Sequence, residues 1–132
     1  MIDFKKLCKP YEKDALETLI KDCSINSIYD ESTITPLHPY GKGVSDCFDF
    51  IKEMAIKDGF KVDMCDGHCI ELECGEGDRL IGIFAHQDVV PVSGNWNHQP
   101  FEPYLDEKEN RLYARGTSDD KGPGIATYYA LK

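Results

Sequence analysis

The chain has 132 residues, 41% of them apolar, and its 24 acidic against 15 basic side chains give a formal net charge of -9. That length supports one domain burying roughly two-thirds of the unfolded chain's surface. The acidic balance argues against nucleic acid or an anionic membrane as partner, because polyanion binding draws on clustered Lys and Arg. No stretch approaches the about 20 apolar residues that span a bilayer. The opening Met1-Ile2-Asp3-Phe4-Lys5-Lys6 lacks the apolar core of a signal peptide, so a cytoplasmic location is expected.

Ala15, Leu16, Leu19, Ile20 and Cys23 recur at helical spacing behind Pro10, which predicts an amphipathic helix over residues 11–23. Residues 24–42 mix Ser, Thr, Asn, Pro and Gly without periodicity and read as a long loop. A second helix is expected from Ser45 as N-cap, with Phe48, Ile51, Met54 and Ala55 on one face, ending before Gly59. Residues 60–64, 69–73 and 79–85 then read as strands separated by Asp66-Gly67 and Gly75-Glu76-Gly77-Asp78. The near-continuous apolar run of the third predicts a central strand covered on both faces. After a loop over 92–103, Leu105 and residues 111–114 read as two strands. A final helix opens at Gly122-Pro123 and runs to Lys132. It has no C-cap signal, and an apolar pattern stopped in mid-register suggests a piece of a longer protein.

The six cysteines, Cys8, Cys23, Cys47, Cys65, Cys69 and Cys74, are expected to be reduced. Cys65, His68, Cys69 and Cys74 cluster, but without the paired C-x-x-C spacing of structural zinc sites. Cys69, between alternating apolar residues, reads as strand packing.

The segment His86-Gln87-Asp88 follows the apolar run Leu80-Ile81-Gly82-Ile83-Phe84-Ala85. Residues two apart on a strand share a face, so Asp88 can orient the imidazole of His86 while the other ring nitrogen meets a metal. Further on stands Arg115-Gly116-Thr117-Ser118-Asp119-Asp120-Lys121-Gly122-Pro123. Neutral imidazole and carboxylate are suitable zinc ligands, and a carboxylate can bridge two ions; His86 and Asp119 fit those roles. Each cluster alone has an ordinary explanation: a chance H-x-D, or an aspartate capping a helix. His38, His68 and His98 read as loop, turn and surface residues, Lys121 as an anchor of the helix start, and Trp96 as packing. Arg115 reads equally as a support for the site or as the partner of a carboxylate.

The order and spacing of three segments carry a resemblance. These are Ile83-Phe84-Ala85-His86-Gln87-Asp88-Val89-Val90-Pro91, then Trp96 with Pro100-Phe101-Glu102-Pro103, then residues 112–123. Together they resemble the N-terminal part of zinc-dependent dipeptidases, in the metallopeptidase family that also holds carnosinases, glutamate carboxypeptidases and aminoacylases. Pro39-Tyr40-Gly41-Lys42-Gly43, Asp58-Gly59-Phe60 and Gly75-Glu76-Gly77 extend the similarity to the bacterial dipeptidase branch.

The resemblance implies an α/β fold: the N-terminal portion of a di-zinc peptidase catalytic domain, a mixed sheet flanked by helices. Residues 1–132 would be part of that zinc-binding domain, with the lid domain and the rest of the catalytic part absent. It implies that His86 ligates one zinc, that Asp119 bridges two zinc ions, and that Asp88 is the catalytic aspartate. It also places a cis peptide bond between Asp119 and Asp120. The implied reaction is metal-assisted hydrolysis of dipeptides or short N-acyl amino acids, with a glutamate outside this chain moving the proton. Two ligands seldom hold zinc tightly, so this chain alone is expected to bind it weakly and to hydrolyse nothing. Self-association through an exposed truncated surface is also expected. The rival readings are a non-catalytic binding or assembly module on the same fold and a metal-dependent phosphoesterase.

Overall fold

The computed structural model describes residues 2–132. Four helices and two β-hairpins follow in the order α1 (Phe4–Cys8), α2 (Glu12–Cys23), α3 (Lys42–Asp58), β1 (Lys61–Asp63), β2 (Glu71–Glu73), β3 (Tyr104–Asp106), β4 (Arg111–Tyr113) and α4 (Lys121–Leu131). The helix expected over 11–23 is present as α2, and Thr18, Asp22 and Cys23 are its buried residues. It packs against α4, where Thr18 Oγ1 and Tyr129 OH lie 2.8 Å apart.

Helix α3 starts a turn earlier than its polar signal suggested. Its N-cap is Gly41, at φ 95°, and Ser45 lies inside the first turn with its hydroxyl directed at the Gly41 carbonyl. Only glycine takes that backbone conformation readily. Gly43 is equally constrained: an added Cβ would lie 1.9 Å from the Asn26 carbonyl oxygen, so the helix start is pressed directly onto the preceding loop. The helix ends as expected at Gly59, at φ 87°, whose N–H bonds back to the last turn. Its buried face presents Val44, Cys47, Phe48, Ile51 and Ala55. Ala55, Phe60 and Tyr128 form a core cluster joined by Met54, Val62, Leu72 and Tyr129. Burial pushes the Cys47 thiol up to about 11 and the Cys23 thiol up to about 12, so both stay protonated inside the core.

The α/β class stands, but the strands form two antiparallel hairpins, β1–β2 and β3–β4. One parallel bridge, between Ile28 and Val89, is the start of a third pairing. Residues 79–85, expected as a central strand, adopt no strand among the described residues. Leu80, Ile81 and Phe84 are 91%, 87% and 95% exposed. A ladder needs a hydrogen-bonded neighbour on at least one side, and none of the described residues supplies one to this segment. Its apolar pattern records a burial that the described residues do not provide.

Candidate metal centre

The site is assembled from two arms fastened to the same helix end. The first arm is the run from His86 to Val89. Ser27 Oγ donates to the Gln87 carbonyl at 2.6 Å, and Val89 N–H donates to the Ser27 carbonyl at 3.1 Å. With its amide nitrogen turned inward, as the surrounding acceptors require, Gln87 donates to both carboxylate oxygens of Asp22 at 3.0 Å.

The second arm follows β4. Arg115 N–H donates to the Pro100 carbonyl at 2.7 Å, and Lys121 N–H closes the turn on the Gly116 carbonyl at 3.1 Å. Gly116 sits at φ 89°, and an added Cβ there would crowd Lys121 and Val89 at 3.1 Å. The glycine lets the turn lie against the first arm. Gly122 serves the same end, since a Cβ would fall 2.0 Å from the Thr117 carbonyl oxygen. The peptide bond between Asp119 and Asp120 is cis, as the resemblance implied.

Lys121 fixes this arm to the interior. Its side chain is fully buried, and Nζ donates to the Asp22 carbonyl at 2.7 Å, the Ile25 carbonyl at 3.1 Å and Cys47 Sγ at 3.3 Å. It also stands 3.6 Å from Asp22 Oδ1. Burial raises the Asp22 carboxyl above its ordinary value, although the attraction of Lys121 and hydrogen bonds from Cys47, Lys121 and Gln87 oppose the rise. Asp22 therefore holds both arms, through Gln87 on one and Lys121 on the other.

Between the arms, His86 Nε2 lies 3.1 Å from Asp119 Oδ1. The opposite ring nitrogen, Nδ1, is 3.0 Å from the Asp88 carbonyl oxygen and 3.2 Å from Asp88 Oδ1. His86 N–H donates to Asp120 Oδ2 at 3.3 Å. Burial pulls the imidazole's proton affinity down, but the Asp119 hydrogen bond and the Asp88 oxygens outweigh it, so its pKa is raised. The ring is thus set between carboxylates that favour a cation between them. The donor set fits zinc: one imidazole nitrogen and one carboxylate oxygen, 3.1 Å apart, have the spacing of two neighbouring ligands whose bonds to zinc are each about 2.0 to 2.2 Å long. The Asp119 side chain is 90% exposed, which leaves its second oxygen accessible.

Both arms were legible in the sequence, but their fastening was not. Asp22 falls within an amphipathic helix pattern, and nothing in its neighbours distinguishes it from a solvated aspartate. Lys121 does anchor the start of α4, as expected, and reaches further into the core than a cap would. Arg115 takes neither expected role: its guanidinium lies over the Trp96 ring, 5.0 Å from the centroid. His98 stacks on Tyr104 with ring centroids 4.0 Å apart. These rings line a cavity of about 820 Å³ that also includes Tyr113, Thr117 and Ser118.

Residues 82–132, which contain both arms, match the family described as Peptidase family M20/M25/M40. The chain is 42% identical over 120 residues to the Bacillus subtilis (strain 168) protein named "Putative dipeptidase YtjP", covering 88% of this chain and 26% of that protein. A Staphylococcus epidermidis protein with the same designation is 39% identical over 129 residues, covering 98% and 27%. The chain thus spans about a quarter of the length of these relatives. Its fold matches the solved structure of the di-peptidase Dug1p from Saccharomyces cerevisiae, with a TM-score of 0.76 at 22% identity over 93% of this chain and 28% of that one. The family match falls on the segment that carries both arms, and the relatives and the solved structure align with nearly the whole of this chain.

Proposed function

We propose that this chain is the N-terminal part of the zinc-binding catalytic domain of a cytoplasmic dipeptidase, with His86 and Asp119 as metal ligands and Asp88 as the catalytic aspartate. The observation that carries the reading is the meeting of His86 Nε2 and Asp119 Oδ1 at 3.1 Å, from positions 33 residues apart, with Asp88 behind the ring. Bound zinc would polarise a substrate carbonyl and acidify water. This chain's residues do the positioning. Asp88 fixes which imidazole nitrogen faces the metal, and Asp119 offers two oxygens, as a bridge between two ions needs. The exposed faces of both side chains leave room for a dipeptide or a short N-acyl amino acid. The names of the relatives support dipeptides as the substrate class. No helix among the described residues is long and apolar enough to cross a membrane.

The general base, the remaining ligands and the lid domain belong, in this reading, to sequence outside these 132 residues. With two ligands, the chain alone holds zinc weakly and turns over no dipeptide. Dipeptide hydrolysis by the intact enzyme, measured with metal content for His86→Ala, Asp119→Asn and Asp88→Asn, tests the proposal. The first two should lose metal and activity together. Asp88→Asn should weaken metal binding by about 10- to 100-fold, as loss of an orienting partner does. Full activity in His86→Ala or Asp119→Asn would overturn the reading, as would stoichiometric zinc with turnover in the 132-residue chain.

A further inference from the structure

A second group of metal-capable side chains lies in the connection between β1 and β2. Cys65, Asp66 and Gly67 are three successive residues with positive φ, at 44°, 54° and 81°. Asp63 Oδ1 accepts the Cys65 N–H at 2.8 Å, and His68 N–H bonds back to the Cys65 carbonyl at 3.1 Å. Gly67 allows the coil to close, because a Cβ there would also stand 2.9 Å from the Leu37 carbonyl oxygen. Tyr40 braces the loop, with its hydroxyl 3.2 Å from His68 Nδ1 and its ring edge-on to the imidazole.

This coil brings Cys69 back to Cys65, and the two sulfurs lie within 4.8 Å of each other. Glu71, two residues beyond Cys69 in an extended run, projects to the same side. The two sulfurs and a Glu71 carboxylate oxygen all lie within 4.8 Å of one another. Cys69 and Glu71 are exposed and Cys65 is half-buried, so Cys69 does not serve the strand packing expected from its neighbours. The left-handed coil brings Cys65 and Cys69 together without the C-x-x-C spacing that the sequence lacks.

We propose that Cys65, Cys69 and Glu71 form a binding site for a thiophilic divalent cation of the zinc class, independent of His86 and Asp119. Two thiolates and a carboxylate are a borderline-soft donor set that selects zinc over magnesium or calcium. Zinc–sulfur bonds are about 2.3 Å long, so capture needs only a small inward rotation of these three side chains. Binding replaces the two thiol protons, which leave to solvent. The fourth position is left to water.

The test is a titration with Co²⁺ as spectroscopic probe, under a non-thiol reductant, in protein carrying His86→Ala and Asp119→Ala. One equivalent should produce sulfur-to-cobalt charge-transfer absorption that Zn²⁺ displaces. Cys65→Ser with Cys69→Ser should abolish the band and weaken Zn²⁺ binding more than about 100-fold, beyond what loss of a supporting contact alone gives. Glu71→Gln should keep the band and weaken binding. Absence of the band, its survival in the double serine variant, or a Cys65–Cys69 disulfide that forms in preference to metal uptake would overturn the proposal. Because the background lacks His86 and Asp119, either outcome leaves the dipeptidase reading to its own assay.

Discussion

Replacing Lys121 by Met keeps the apolar stem and removes the charge from a position with no access to water. Lys121 and Asp22 side chains are both fully buried, so the variant leaves a buried carboxylate without its cation, and two carbonyls and a thiol without a donor. Breaking a buried pair from one side costs about 3 to 5 kcal/mol. The orphaned carbonyls, at about 1 to 3 kcal/mol each, overlap with that figure rather than add to it. Against a typical domain stability of about 5 to 15 kcal/mol, the loss is a large share of the total. At roughly 3 to 5 °C per kcal/mol for a chain of this size, melting should fall by about 10 to 20 °C.

The penalty should also depend on pH. The folded Asp22 carboxyl is already raised above its ordinary 3.8 by burial, and loss of Lys121 raises it further. A folded carboxyl that binds protons more tightly than the unfolded one gains relative stability as pH falls between the two values. The Lys121→Met deficit should therefore be largest at neutral pH and shrink as pH falls toward 3.8. Urea unfolding followed by circular dichroism at several pH values measures this, with Asp22→Asn/Lys121→Met as the paired control. Removing both charges should recover at least about 1 kcal/mol of the single variant's loss. A single-variant loss below about 1 kcal/mol, or a loss that does not change with pH, would show that Lys121 is not the cation on which the buried Asp22 carboxylate depends.

Gly122→Ala should cost about 1 to 3 kcal/mol in urea unfolding, because its Cβ would fall 2.0 Å from the Thr117 carbonyl oxygen; near-wild-type stability would show that the turn yields freely. Asp58 accepts hydrogen bonds from Tyr128 OH at 2.6 Å and Lys132 Nζ at 2.8 Å. Burial raises its carboxyl, but these two bonds outweigh it and hold the pKa below 3.8. Its contribution is therefore present above pH 3.8 and is lost as pH falls through the lower folded value. Asp58→Asn should lose about 1 to 2 kcal/mol at pH 7 and flatten the acid limb of the stability profile, which melting at stepped pH would reveal. Phe84, 95% exposed beside Leu80 at 91%, should drive self-association of the chain. Phe84→Asp should shift sedimentation toward the monomer, and an unchanged distribution would remove this segment from the contact.

Much of the helical framework was readable because local signals and burial agree there. The face of α3 and its glycine stop repeat the period and the cap that the chain adopts. The Ser45 start failed because a positive-φ Gly41 turns the chain into the helix earlier, a conformation that side-chain polarity does not announce. Residues 79–85 failed for a different reason: alternation and apolar runs report that a segment expects neighbours, and the described residues provide none. At the site, His86, Asp88 and Asp119 stood out because strong ligands cluster at motif spacing. Asp22 and Gln87 did not, because their roles come from contacts across 65 residues of sequence. The meeting of Cys65 with Cys69 depended on three left-handed residues that only the backbone reveals.

The Asp22 carboxylate has a consequence for transplanting or evolving this chemistry. Gln87 stands between His86 and Asp88, Lys121 stands two positions beyond Asp119, and both grip the same side chain at the end of α2. The separation of the two loops that carry the proposed ligands is thus gauged by one internal post rather than by either loop. Grafting the H-x-D and G-x-x-D segments onto another scaffold would carry the donors without their spacing. A change in α2 would in turn shift the spacing of the proposed ligands while touching neither of them.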